Sequence, residues 1–355
     1  MTAASDTVRA ALVTPLSGPL AGFGRVGVHA LELWARSAAE LPRPFRGVEL
    51  TVHDSSPDAA AAVRAALTTR PHLLFGPYGG GPALAVARNT DRLVWNHGGA
   101  TGKLAGYPHV VNVLAPASSY HVGALELLVR RDPRPAAGTV LYVDTGFGRD
   151  VAEGAADAAA RLGVAVRRLG FPRDTAAEAA ASVPDADVLL VAAGFADELT
   201  MARELLSRPW RAAAFVGAGE EAPLAELGEA REGLLGPAQW MPAAAPEPDE
   251  GPDAAWFVRA YQEIAGGPPP YPATQAFAAG LLAARCLRDA GEADDDALRR
   301  AARSLSCTTL YGRFRLDDEG RQVGHRVLTV QWQAGHRRIV WPPGVAEVTA
   351  IYPRT

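Results

Sequence analysis

Short apolar runs rich in β-branched residues alternate with alanine-rich stretches along the first 240 residues of the chain. The runs predict strands at 9–14, 48–54, 73–76, 93–96 and 110–113, and a second series at 139–144, 165–170, 188–193, 213–217 and 234–239. The stretches between them predict helices at 26–40, 58–68, 82–90, 117–131, 149–162 and 197–207. Strands that alternate with helices call for parallel βαβ units. Val188-Leu-Leu-Val-Ala192 is apolar throughout, as a strand buried on both faces of a parallel sheet is. The pattern therefore describes two α/β units of similar size. It changes after Trp240: a connection rich in proline and acid (242–252) leads to helices at 254–265, 273–290 and 294–304. Strands at 312–316, 326–333 and 337–341 close the chain, with turns at Asp317-Asp-Glu-Gly320 and Ala334-Gly335. A return of this kind suggests that the chain finishes both units after building each once.

Length agrees with two units. The chain has 355 residues, and single hydrophobic cores stop growing beyond roughly 250–300. The formal net charge is -4 and Lys103 is the only lysine, so no concentrated basic face for a nucleic acid is expected. Two scattered cysteines, Cys286 and Cys307, build neither a disulfide framework nor a metal site, and a reduced or unpaired state is expected. No apolar run approaches the ~20 residues of a membrane span. The stretch 1–11 lacks a basic region followed by an apolar core. The chain is then expected either in the cytoplasm or outside it after removal of an export signal.

Candidate chemistry gathers where strands end. Gly79-Gly-Gly-Pro82 follows the third strand, and proline favours the first helical position, so a helix is predicted to start near Pro82. Its free N–H groups would lie at the carboxyl end of the sheet, where open α/β sheets bind ligands, and would suit a carboxylate or polar carbonyl. Asn96-His-Gly-Gly-Ala-Thr101 ends the next strand with small residues that let backbone approach a ligand. His97 has no partner at metal spacing, so no metal is expected. Gly22-Phe-Gly-Arg-Val-Gly27 matches the dinucleotide pattern GxGxxG, but 15–21, with two prolines, separates it from the first strand. No nucleophile elbow or Walker loop is present, and the acids at Glu220-Glu221 and 317–319 read as solvated turns. Neither catalysis nor a cofactor is expected.

Thr14-Pro-Leu-Ser-Gly-Pro-Leu-Ala-Gly-Phe-Gly24 resembles the opening of the type I periplasmic solute-binding proteins, the leucine/isoleucine/valine, urea and amide group. Asp54, Phe75-Gly-Pro77, Gly98-Gly-Ala-Thr101, Gly146-Phe-Gly148, Glu232-Gly233, the aromatic-led helix 277–291 and Leu310-Tyr-Gly-Arg-Phe-Arg-Leu-Asp317 follow in the family's order. The resemblance implies two Rossmann-like lobes with parallel sheets and a three-strand hinge crossed near 112–116, 240–243 and 317–324. Lobe 1 would be 1–115 with 243–319, and lobe 2 would be 116–242 with 320–355. It implies closure on a small polar solute by hinge bending, and delivery to the membrane permease of an ABC importer. The pocket would draw Ser17, Phe23, Gly80, Gly81, Asn96, Gly98, Ala100 and Thr101 from lobe 1. It would draw Phe147, Phe195, Gly219 and Glu220 from lobe 2. Amino-acid binders of the family usually carry hydroxyls where this chain has Gly80 and Gly81, and a tyrosine is common where it has Phe147. The acid that pairs a ligand ammonium falls near Gly219, one place from Glu220. An amino acid, an amide and an aromatic acid thus remain open as ligands. A cytosolic amide-type sensor and a nucleotide-dependent enzyme built on Gly22–Gly27 are the alternative functions.

Overall fold

A computed structural model of the chain describes residues 6–37 and 39–354. The helix predicted at 26–40 runs over Ala38, and the two lobes were expected to include 1–5 and Thr355; these positions lie outside the described residues. In chain order the first stretch carries β1 (Thr7–Thr14), α1 (Ala21–Ser37), β2 (Gly47–Asp54), α2 (Ala59–Thr68), β3 (Leu73–Phe75), α3 (Gly80–Arg88), β4 (Val94–Asn96) and β5 (Val110–Asn112). The second carries α4 (Val122–Leu128), β6 (Ala137–Val143), α5 (Gly146–Leu162), β7 (Ala165–Phe171), α6 (Ala176–Ala181), β8 (Val188–Ala192), α7 (Phe195–Leu205), β9 (Ala212–Phe215) and β10 (Leu235–Ala238). The return stretch adds α8 (Ala254–Ala265), α9 (Tyr271–Ala290), α10 (Asp295–Ser304), β11 (Ser306–Thr309) and β12 (Gly312–Arg315), then β13 (Leu328–Gln333) and β14 (His336–Trp341). Short 3₁₀ turns fill Ala117–Ser119 and Val216–Gly219.

The chain separates into two compact units: one runs to Ala115 and includes Trp240–Arg326, the other is Pro116–Gln239 with Val327 onward. Residues 240–242 and 320–326, assigned to lobe 2 from the sequence, cluster with the first unit. Side chains explain this. Trp240 Nε1 donates to Leu310 O (2.9 Å), Gln322 Nε2 donates to Val113 O (3.2 Å), and Asn112 Nδ2 donates to Gly320 O (3.0 Å).

The sheet of the first unit has the order β2-β1-β3-β4-β5, parallel throughout. Helix α9 covers part of it and is buried on nearly every face, which fits a run made almost wholly of small and apolar residues. Gly291 ends it in the left-handed conformation, φ 74°. The sheet of the second unit has the order β14-β13-β10-β9-β8-β6-β7, of which β7, β6, β8, β9 and β10 run parallel. These five strands repeat the winding of the first unit. The hairpin β13–β14 adds antiparallel strands at the edge, and both residues of its turn, Ala334 and Gly335, have positive φ (53° and 77°). Two positive values in a two-residue loop match the right-handed twist of paired strands.

Helix α1 starts at Ala21, five residues before the sequence placed it, so Gly22, Gly24 and Gly27 lie inside a helix and form no strand-to-helix phosphate loop. The role of Gly24 is packing. A Cβ at Gly24 would stand 1.6 Å from Pro15 O, whereas one at Gly22 would meet nothing within 4 Å. Gly24→Ala should therefore cost about 3 kcal/mol of stability by overpacking. Gly22→Ala should be neutral or gain up to about 1 kcal/mol from helix propensity. Urea unfolding of the two variants checks this; equal stabilities would contradict the packing role of Gly24.

Candidate functional site

The parallel strands of both sheets reverse their winding beside their first strand, so the loops leaving the two strands that flank the reversal diverge and open a crevice at the carboxyl edge. In the first unit the reversal lies between β1 and β3. The loop after β1 is tied down by Asp54 at the end of β2. Its Oδ1 accepts from Leu16 N (2.8 Å) and Ser56 N (2.9 Å), and its Oδ2 accepts from Ser17 Oγ (2.8 Å). Desolvation raises this carboxyl, but the donors outweigh it and hold it below the usual range. The Ser17 hydroxyl is thus engaged in fastening its own loop.

Phe23, in the first turn of α1, stacks on Tyr78 in the loop after β3, with ring centroids 4.4 Å apart and planes inclined by 7°. The Tyr78 hydroxyl meets that of Tyr271, the first residue of α9, at 2.7 Å. Beside this wall α3 begins at Gly80, two residues earlier than the sequence predicted, with Gly79 as its N-cap and no side chain capping it. Pro82 has no N–H, so Gly80 and Gly81 supply the first free donors of the helix. A Cβ on Gly81 would meet nothing within 4 Å, and one on Gly80 would touch Thr101 Cγ2 at 3.4 Å.

The segment after β4 supports that loop. Gly98 pairs with Tyr78, and Gly79 N donates to Gly98 O (3.0 Å); a Cβ at Gly98 would lie 2.6 Å from Tyr78 Cα. Asn96 is buried. Its Oδ1 accepts from Gly99 N (2.8 Å), and its Nδ2 donates to Gly99 O (2.8 Å) and Asn112 Oδ1 (2.9 Å). Thr101 is buried and its Oγ1 accepts from Lys103 N (3.4 Å), while Ala100 is buried beside it. The polar atoms of Ser17, Asn96 and Thr101, read in the sequence as groups for a ligand, are engaged in holding these loops. His97 is buried, and burial pushes it down to about 4.

The second unit repeats the arrangement between β6 and β8. Phe147 sits in the first turn of α5, whose N-cap Thr145 accepts from Gly148 N (3.2 Å), and its ring meets Tyr120 edge-on at 5.8 Å. Phe195 opens α7. Gly219 ends the 3₁₀ turn after β9, and Arg337 of β14 donates to its carbonyl. The same guanidinium lies 3.8 Å from the Glu220 carboxylate. Burial nevertheless raises Glu220 to about 7, against the lowering influence of Arg337. Tyr120 accepts from Gln239 Nε2 (3.2 Å), and burial, with a smaller push from Glu220, raises it to about 12. Tyr78, Tyr271, Tyr120 and Arg337 escaped the sequence reading. Only Tyr78, directly after the Gly76-Pro77 pair at a strand end, carried a local signal.

Among the described residues no group of three His, Cys, Asp or Glu is placed to hold a metal ion. Cys286 and Cys307 are both buried and free, and burial pushes both thiols up, Cys307 to about 12. No helix of the described residues is long and apolar enough to cross a membrane.

Two doubly wound parallel units completed by a returning chain define an α/β binding protein of the type I periplasmic class. The chain belongs to the periplasmic binding protein family, whose model matches residues 7–337. Its structure is similar to the leucine binding protein LivK of Thermotoga maritima MSB8 (TM-score 0.79, 18% identity, 94% of this chain and 97% of that one). It is also similar to an ABC transporter solute binding protein from R. palustris in complex with benzoate (TM-score 0.76, 16% identity, 97% and 99%). A third likeness is the solute binding protein of an ABC transporter from Rhodopseudomonas palustris BisB5 in complex with 3,4-dihydroxy benzoic acid (TM-score 0.75, 16% identity, 98% and 99%). At these identities the likeness is one of fold.

The buried groups set a pH dependence of stability. Glu198, in α7, and Glu220 keep their protons up to about 8 and 7, whereas an unfolded glutamate releases its proton near 4.5. Unfolding between those values releases protons, so rising pH favours the unfolded chain. His97 and His121 stay neutral down to about 4 against an ordinary 6.5, so falling pH favours the unfolded chain between 6.5 and 4. The two effects oppose each other between 4.5 and 6.5, and above 6.5 the glutamates act alone. The melting temperature should be nearly level from pH 5 to 6.5 and fall from 6.5 to 8, with a shallower fall in Glu198→Gln. A melting temperature that climbs across that upper range would refute this assignment.

Proposed function

We propose that this chain captures a small aromatic carboxylate and delivers it, outside the cytoplasm, to the membrane permease of an ABC importer. The observation that carries the reading is the Phe23–Tyr78 stack standing next to the uncapped start of α3. A flat apolar wall and two helix-terminal N–H groups on one edge match a ring joined to a carboxylate. The carboxylate takes Gly80 and Gly81, where the helix end favours negative charge. The ring lies against Phe23. Gly98, Asn96, Ala100 and Thr101 keep those loops in place, and Ser17 does so through Asp54.

A zwitterionic amino acid suits these groups less well. Glu220 faces Arg337 at 3.8 Å and is raised to about 7, so it is a poor anchor for an ammonium. The benzoate and 3,4-dihydroxybenzoic acid held by two proteins of the same fold support an aromatic acid. The groups assembled here offer donors and apolar walls, which orient a ligand and leave it chemically unchanged.

A thermal-shift series with benzoate, 4-hydroxybenzoate, L-leucine and L-phenylalanine tests the reading. The two aromatic acids should raise the melting temperature as their concentration passes Kd, and leucine should leave it unchanged. Phe23→Ala should weaken benzoate about tenfold, the worth of one aromatic contact. Gly80→Leu should weaken it further with the fold intact. A shift with leucine and none with benzoate would overturn the aromatic reading.

A further inference from the structure

Glu198 is wholly buried, with 0% of its surface exposed, one turn into α7. Its two carboxyl oxygens serve two different loops. Oε1 accepts from Ala193 N (3.1 Å) in the turn between β8 and α7, and Oε2 accepts from Gly217 N (2.6 Å) in the turn after β9. Val216 adds a further main-chain donor from that second turn. The second turn is shaped to admit the carboxyl: a Cβ at Gly217 would stand 2.8 Å from Oε2. Such a group is costly to bury, and costlier still to leave without its donors. Neither turn can therefore move alone without stranding one oxygen. The first turn leads into Phe195 and the second into Gly219 and Glu220.

We infer that Glu198 is a positioning residue that locks these two turns into one body and so sets the spacing of Phe195 against Gly219 and Glu220. The link to ligand binding rests on the proposed function; the mechanical link does not. Among the described residues no cation pairs with this carboxyl, and it spans two turns at strand ends through main-chain N–H groups. The burial that raises its pKa is the cost of placing it there. The charged neighbour on its own helix, Asp197, adds to that cost, while the turns after β8 and β9 present N–H donors.

Amide exchange in the whole protein, read residue by residue by NMR, tests the lock. In Glu198→Gln an amide nitrogen replaces one acceptor, so exchange at Ala193 and Gly217 should quicken together, each by about tenfold. Leu189–Val191 in the centre of β8 should keep their protection. A second variant approaches from the other loop. Gly217→Ala drives a methyl group against Oε2 and should quicken exchange at Ala193, across the lock, by about tenfold; in Glu198→Ala the same added methyl should change Ala193 less than twofold. Faster exchange at only one of the two turns in Glu198→Gln, or no response of Ala193 to Gly217→Ala, would overturn the inference. A protein that binds neither benzoate nor 4-hydroxybenzoate would end the proposed function and leave the exchange result to decide on the lock.

Discussion

In a parallel sheet wound outward from its first strand, the connections on either side of the reversal must leave in opposite directions. A gap then opens at the carboxyl ends of the two central strands, edged by loop backbone and helix N-termini. Both units obey this constraint, with β1 and β3 flanking the gap in one and β6 and β8 in the other. Aromatic residues stand at these edges in both units. Phe23 begins the helix after β1, Tyr78 lies in the loop after β3, Phe147 begins the helix after β6, and Phe195 begins the helix after β8. Four equivalent topological positions thus carry rings.

The loops at these edges are held by contacts too close for a larger residue. Gly24 lies against Pro15 O, Gly98 against Tyr78, and Gly219 would set a Cβ 1.8 Å from Pro237 O. Polar side chains complete the scaffold. Asp54 gathers the loop after β1, Asn96 the loop after β4, Glu198 the two turns of the second unit, and Arg337 the turn that carries Glu220. In the proposed function, the groups left to orient a ligand are main-chain N–H groups and rings. This division explains why hydroxyls and amides that read as pocket groups serve the loops behind them.

Most strands of the parallel sheets were legible as short runs rich in apolar residues and bounded by a turn, such as Val188–Ala192. The start of α1 was not, since Pro15, Pro19 and the glycines that follow look like loop, and the contact of Gly24 with Pro15 O that admits a helix there is tertiary. Strand β11, Ser306-Cys-Thr-Thr309, lacks apolar alternation and exists through pairing with β12. The limits of the units depended on the indole of Trp240 and the amide of Gln322, whose partners lie 70 and 209 residues away. Of the candidate site residues, the glycines that open α3 were picked out by their place after a strand, and Phe23 and Phe147 by the family resemblance. Tyr271 and Arg337 did not, because each acts on a segment far off in sequence. Glu198 was invisible for a further reason: its partners are backbone N–H groups, which no residue type announces.

The most direct test of this account is a crystal structure of the protein grown with 4-hydroxybenzoate. The account predicts carboxylate oxygens within hydrogen-bond reach of Gly80 or Gly81 N–H and the ring packed against Phe23. A carboxylate bound instead by the Arg337 guanidinium, with Gly80 and Gly81 untouched, would contradict it.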